Sequence, residues 1–322
     1  MYRFLKNITF FVLLIVTVLI CYGCFCEWFF AQKKYYPTES KRMWVMKQEN
    51  NVYDYAVLGS SRANGAFEIL LLDSLTGLKG INIAANGSGY VDNYLILYQF
   101  LKNNNRVRYV FLQTDNYCFD PERNFSNPFH IYNFLPFWND CEYKKVIEHY
   151  LDQTDRICFR ILPVFRYYKY NKYYSPFQVI SRYRNEDTAI GKPATTAPHS
   201  QITKRHQNKT LFGTAGTKSF QINEFDKEYL ENIIDLCRKT KIEIFCFRAP
   251  DFYFQDSVFT NYQQCDYFLE QLLTSQKTIY LKPDESIRQN SGCFIDAGHL
   301  NDYGRFLNTV YFSKQINELL KN

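Results

Sequence analysis

The basic residues of this chain never run together. Its 38 Lys and Arg against 32 Asp and Glu leave a net charge of +6 spread along the length, so the basic stripe of a nucleic-acid-binding protein is missing and no nucleic-acid partner is implied. Neither HExxH nor a His/Cys/Asp cluster at ligand spacing occurs, and a metal mechanism therefore has no support. Of the 10 cysteines, Cys21, Cys24 and Cys26 fall in or beside an N-terminal apolar segment, and the others are scattered with no CxxC pair among them. Such a set supports neither a disulfide framework nor a zinc site. Cys246 lies inside a strand pattern and reads as a small core residue. No repeat of fixed period is found, and no cofactor is implied.

Aromatic side chains, by contrast, make up 18% of the chain, with 27 Tyr and 29 Phe. They read first as core filling and second as surfaces that stack on sugar rings or sit at a membrane interface. The modest positive charge adds a weak preference for anionic surfaces, membrane or glycan.

Residues 1–6 are a short tail carrying Arg3 and Lys6. From Asn7 to Cys26 there is no charge, and FFVLLIVTVLICYGCF is nearly all apolar. About 20 such residues match the hydrocarbon thickness of a bilayer. The run is long for a cleavable signal peptide, and Cys21-Tyr22-Gly23 is a poor substitute for an A-x-A-like site. A single-pass anchor over 7–27 is expected, with Trp28, Phe29 and Phe30 as an interfacial belt and a polar stalk over 28–52. Lys33, Lys34, Lys41 and Arg42 follow the anchor, so a charge count alone would hold the large domain in the cytoplasm. Long translocated domains override that count, and an extracytoplasmic domain is the expectation that accompanies the envelope reading below.

Periodic segments then begin. Apolar runs at 55–58, 81–84, 106–113, 241–247 and 278–281 read as strands. Helical spacing appears at 66–75, 91–101, 223–241, 262–273 and 302–320. Strand–turn–helix units in succession point to a parallel sheet with right-handed crossovers. The pattern lapses over 117–225, which holds Pro121, Pro128, Pro136, the stretch RYYKYNKYYSPF at 166–177, and a polar tract at 192–218. An irregular insertion within a 53–322 domain is expected there.

The first strand ends in Gly59-Ser60-Ser61. That puts a hydroxyl at the carboxyl edge of the sheet, where open α/β sheets bind ligands and a helix N-terminus favours negative charge; the plain alternative is turn chemistry. A nucleophilic serine needs a base. Among His130, His149, His199, His206 and His299, the last stands out because Asp296 precedes it by three residues, so a carboxylate can orient the imidazole. The alternative is an Asp cap beside a solvent-facing His. His149 falls in an amphipathic helix pattern and His130 in a Pro-rich loop. Backbone N–H groups at Ser61 and Gly87 are available to an oxyanion if both turns share one edge, and the Asn116 amide is a third candidate.

These features together resemble the SGNH/GDSL hydrolase superfamily: Gly-x-Ser after the first strand, Asn82-x-x-x-x-Gly87 after the second, an Asn-bearing turn after the third, and Asp-x-x-His before the last helix. VLGSSR followed by INIAANGSG is similar to the membrane-anchored members typified by DltD, the D-alanyl-lipoteichoic-acid protein, and the alginate O-acetylation proteins. The resemblance covers roughly 53–116 and 223–320. It implies a three-layer flavodoxin-like α/β fold with a five-stranded parallel sheet of SGNH-hydrolase type. It further implies Ser61 as nucleophile, Asp296 and His299 as the rest of a triad, and Gly87 as oxyanion donor. The function expected is a membrane-anchored serine esterase or O-acyltransferase acting on acylated cell-envelope glycans. The alternative is a degenerate relative that binds glycan or assists a membrane acyltransferase. Where such enzymes carry Gly-x-Asn-Asp, this chain has Gln113-Thr114-Asp115-Asn116. An ungapped alignment puts Asp115 at the amide position, where its charge would repel an oxyanion. Either Asn116 takes the role or the site loses a donor, worth on the order of 3 kcal/mol in the barrier.

Overall fold

All four residues of the first strand, Tyr55–Leu58, are buried, as expected of a parallel strand covered on both faces. In a computed structural model of the chain, the described residues are 1–32, 41–119, 131–169, 176–177, 219–222 and 224–321. They belong to two compact units, Met1–Met43 with Phe125–Gly191, and Trp44–Asn124 with Lys192–Asn322. His130, His199, His206 and the 192–218 tract lie outside the described residues.

In chain order the regular elements are α1 (Tyr2–Ala31), α2 (Lys41–Met46), β1 (Tyr55–Leu58), α3 (Ser61–Ala66), α4 (Ile69–Thr76), β2 (Gly80–Asn82), α5 (Tyr90–Lys102) and β3 (Tyr109–Gln113). Next come α6 (Cys141–Tyr150), α7 (Gln153–Ile161), α8 (Pro163–Lys169), α9 (Glu224–Lys239), β4 (Glu243–Phe247), α10 (Gln255–Val258) and α11 (Tyr262–Ser275). The chain closes with β5 (Ile279–Leu281), α12 (Glu285–Arg288), the short pair β6 (Phe294–Asp296) and β7 (His299–Leu300), and α13 (Asp302–Leu319).

The second unit is an α/β domain whose five strands run parallel in the order β2-β1-β3-β4-β5. That is a doubly wound order with its switch point between β1 and β3, the position where such sheets open a crevice at their carboxyl edge. Side chains alternate across the sheet. Tyr55, Val57, Phe111, Phe245 and Phe247 join one core with Ile69 and Leu72 of α4 and Phe312 and Ile316 of α13. Phe67 packs there with its ring centroid 4.5 Å from Phe312 and 5.1 Å from Phe247. Ala56, Leu58, Val110, Leu112 and Cys246 point the other way, on the side where α9 meets β4 and packs along α5. Helix α9 buries Tyr229, Ile233, Ile234 and Cys237, with Glu224 and Asp226 in its first turn and Arg238 and Lys239 in its last. That charge order suits the helix dipole.

Three local differences from the sequence pattern matter. The expected helix 66–75 is α4, which starts only at Ile69; the unexpected α3 precedes it from Ser61, and Phe67 and Glu68, both extended, separate the two. The Asp-x-x-His segment is an antiparallel hairpin rather than an open loop. The last part of the expected stalk, from Trp44 on, belongs to the α/β unit. The Asn103 side chain donates to Met46 O at 2.6 Å and Gln48 O at 3.0 Å, Asn50 N donates to Asn103 O, and Val52 bridges to Arg106. Asparagines in a distant turn do this stitching, which no local pattern in 44–52 announces.

In the first unit, α1 is long and apolar enough to cross a membrane, with a mean hydropathy of 2.7 over its most apolar window and 6% of that window buried. Three helices, α6 to α8, lie in the expected insertion. Gly23 of α1 meets α8 so closely that a Cβ there would stand 2.8 Å from the Pro163 carbonyl carbon. The interfacial belt is correspondingly smaller than expected. Trp28 is exposed, but Phe29 and Phe30 are buried, and Phe30 stacks on Tyr167 with centroids 5.9 Å apart. Cys26, Phe29 and Phe30 share one helical face, and α8 covers it.

Candidate active site

The chain leaves β1 through Gly59, whose φ of 153° suits glycine and whose missing Cβ would stand 2.6 Å from the Cβ and Oε1 of Gln113. Ser60 then caps α3, its hydroxyl accepting from Arg62 N at 3.3 Å. Gln113, at the end of β3, fastens the turn. Its Oε1 accepts from Ser60 N at 2.8 Å, Ser60 Oγ at 3.0 Å and Ala63 N at 3.2 Å. The N–H groups of Ser60, Arg62 and Ala63 are thereby used. Among the described residues, the N–H of Ser61 carries no hydrogen bond. Ser60 is fully buried, whereas Ser61 is partly exposed. Only Ser61 of the two presents its hydroxyl outward.

The β6–β7 hairpin brings the base to it. Ser61 Oγ lies 2.8 Å from His299 Nε2, and His299 Nδ1 lies 2.9 and 3.0 Å from the two Asp296 oxygens. Burial raises the Asp296 carboxyl, but the hydrogen bond and charge of His299 and the N–H groups of Gly298 and His299 outweigh it, leaving Asp296 below its ordinary range. An ionised carboxylate only accepts. Nδ1 must therefore carry a proton, and in the neutral imidazole Nε2 is the acceptor aimed at the serine hydroxyl. The imidazole and carboxylate are 34% and 40% exposed, so the pair opens to solvent. Behind it the hairpin is clamped. Phe252 N donates to Ala297 O at 2.9 Å, and Asn301 both caps α13 and donates to Gly292 O. Gly304 allows α13 to close on the hairpin, since a Cβ there would stand 2.9 Å from Cys293 Cβ.

Arg62, one residue past Ser61, ties these parts together. Its Nε donates to Gly298 O at 3.1 Å, NH1 meets Asp115 Oδ2 at 2.8 Å, and NH2 donates to Ala249 O and stands 3.8 Å from Asp251. Its guanidinium also lies 4.4 Å from the Tyr117 ring centre. One buried side chain thus links the serine helix, the ends of β3 and β4, and the loop that carries His299. Burial disfavours its charge, but Asp115 and Asp251 more than compensate and hold the guanidinium protonated. Asp251 is shared further: Arg288 Nε at 3.1 Å and Arg248 NH2 at 3.2 Å both reach Oδ1, and Tyr262 OH donates to Oδ2 at 2.7 Å. Burial raises its carboxyl, and Arg248, Arg62 and Arg288 pull it down to about 2.

This network answers the question raised by Gln113-Thr114-Asp115-Asn116. The Asp115 carboxylate does not face the serine unpaired. Its Oδ2 accepts from Arg62 and from Gln113 Nε2 at 2.6 Å, and its Oδ1 from Tyr117 N at 3.2 Å. Asn116, the expected third donor, gives one N–H of its amide to Tyr262 O at 3.2 Å, which ties it to the start of α11. Gly87 has φ 73° in the turn after β2. That turn adjoins α3 through a 3.2 Å hydrogen bond from Asn64 Nδ2 to Asn86 Oδ1, and the Gly87 N–H carries no hydrogen bond among the described residues. His149 lies on α6, apart from the serine turn in sequence and in the other compact unit.

Sequence reasoning did not single out Arg62, Gln113 or Asp251. The available signal was charge and polarity where burial is expected: Gln113 to Asp115 end a fully buried strand, and Arg248 follows the buried end of β4. Among the described residues, no group of His, Cys, Asp and Glu is arranged to hold a metal ion. The chain matches no known family model and no curated protein.

Proposed function

We propose that this chain is an SGNH-type serine esterase or O-acyltransferase, anchored by α1 and acting on acylated glycans of the cell envelope. The observation that carries the reading is the hydrogen-bonded series Ser61–His299–Asp296 at the carboxyl edge of a doubly wound sheet. The unpaired N–H groups of Ser61 and Gly87 support it, since an oxyanion needs donors that are not already spent.

In this mechanism Ser61 Oγ attacks the ester carbonyl carbon while its proton passes to His299 Nε2. The resulting oxyanion accepts from the N–H groups of Ser61 and Gly87. On collapse, the C–O bond to the alcohol breaks and Nε2 returns the proton to the leaving oxygen, giving acyl-Ser61. Water or an acceptor hydroxyl then attacks the acyl carbon with His299 again as base; the acyl–Ser61 bond breaks, Nε2 returns the proton to Ser61 Oγ, and the acid or the transferred ester leaves. Asp296 holds the tautomer throughout and stabilises the imidazolium. The proposal of an envelope substrate rests on α1 as an anchor and on the proposed extracytoplasmic location of the α/β unit.

The full chain in detergent, given p-nitrophenyl acetate and then an O-acetylated polysaccharide, is expected to release nitrophenol and acetate, and Ser61→Ala to release neither. Equal turnover by Ser61→Ala and the natural chain would refute the reading.

A further inference from the structure

Helix α7 exposes two parallel stripes at i, i+4 spacing: Ile157 and Ile161, and beside them Arg156 and Arg160. Ile157 is 50% and Ile161 68% exposed, and on α8, which packs against α7, Phe165 and Tyr168 are exposed as well, Tyr168 by 74%. Large aliphatic side chains this open call for a covering partner. Their position along α1 identifies it. Pro163 and Val164 are in backbone contact with Gly23, three residues before the uncharged run ends at Cys26, an axial distance of about 4.5 Å. The junction of α7 and α8 therefore sits at the level where the apolar run of α1 ends. The exposed aromatic Trp28 lies on the same helix just beyond. Arg160 forks onto Glu148 at 2.5 and 2.7 Å, and Arg156 engages Leu151 O through Nε alone among the described residues.

We propose that the exposed face of α7 and α8 lies in the headgroup boundary of the membrane that α1 crosses. Ile157, Ile161 and Phe165 enter the acyl edge, and Arg156 reaches anionic headgroups. A short amphipathic helix with arginines beside its apolar stripe has the composition of an interfacial helix. Helix α8, which carries part of this face, packs directly against α1. The inference rests on α1 spanning the membrane and is independent of the Ser61 chemistry.

The test is photo-crosslinking of the full chain in nanodiscs of phosphatidylcholine and phosphatidylglycerol, with benzoylphenylalanine placed singly at positions 15, 161, 165 and 267. Position 15 is the apolar centre of α1, and position 267 an exposed site on the α/β unit. Lipid adducts read by mass spectrometry are expected at 161 and 165 at least about tenfold above 267. Removing phosphatidylglycerol should lower the yield at 161 by about twofold while leaving 15 unchanged. Adducts at 15 with none at 161 would overturn the docking face and spare the span. A chain-to-chain crosslink at 161 would overturn it in favour of a second copy, and adducts at neither 15 nor 161 would overturn both the face and the span.

Discussion

Ser61 and Arg62 are adjacent in sequence and obey opposite rules. Ser61 is partly exposed, and its hydroxyl meets one imidazole in the half-exposed pair His299–Asp296. Arg62 is buried and engages Gly298, Asp115, Ala249, Asp251 and Tyr117. The first arrangement is sparse, so the serine hydroxyl and a free N–H stay available to a substrate. The second is saturated, because a charge taken out of water must be met on every side. The contrast teaches how a reactive turn can be held in place without occupying its own reactive groups.

Substitutions on the sparse side should remove chemistry and leave the fold intact. The largest expected effect is that of Ser61→Ala or His299→Ala, each lowering ester turnover by roughly 10⁶-fold, as removal of either member of a coupled pair does. Thermal unfolding should stay close to that of the natural chain. Asp296→Asn is expected to cost about 10⁴-fold in kcat by releasing the wrong imidazole tautomer, measured on the same ester.

The saturated side should respond in the reverse sense. Asp251→Asn leaves Arg62, Arg248 and Arg288 short of a shared carboxylate and is expected to cost about 3–5 kcal/mol of stability, read by denaturant unfolding. The same group sets an acid limit. Its folded value of about 2 lies below the ordinary carboxylate value of about 3.9. Its contribution is therefore complete above pH ~4 and is lost as pH falls through ~2. Unfolding followed from pH 5 to pH 1.5 should show a steep loss in that window, flattened in Asp251→Asn.

Arg62→Lys tests the join between the two sides. A point charge cannot reproduce the guanidinium fork, and a shift of about 1 Å in the hairpin carrying His299 is expected to lower kcat roughly 10²-fold. Activity and stability should both fall, unlike in either set above. The smallest effect belongs to Asn116→Ala. Its side chain is buried and donates to Tyr262 O, so kcat is expected to change less than about threefold, where loss of an oxyanion donor costs 10²-fold or more.

Much of the frame was legible in the residues. Tyr55–Leu58 is the strand its apolar run announces, and the remaining strands fall within three residues of their expected limits. The parallel order follows from alternating strand and helix patterns. Ser61, Asp296 and His299 could be singled out because each carries a local mark: a small-residue turn after a strand, and a carboxylate three residues before an imidazole. Arg62 carries no such mark. Its partners lie at Asp115, Asp251 and Gly298, and only the folded sheet edge gathers them. The same holds for Asn103, whose stitching of residues 46–50 makes the end of the expected stalk part of the domain. Asn116 illustrates the converse: its position fits an oxyanion donor, and its contact with Tyr262 could not be read locally. The β6–β7 hairpin was too short to show a period of two.

The most direct test of the central claim is covalent labelling of the full chain by a fluorophosphonate, followed by peptide mapping. A serine made nucleophilic by His299 should take up one adduct per chain, on the peptide containing Ser61, and Ser61→Ala should remain unlabelled. Absence of labelling in a folded natural chain, or an adduct on any other residue, would contradict the account.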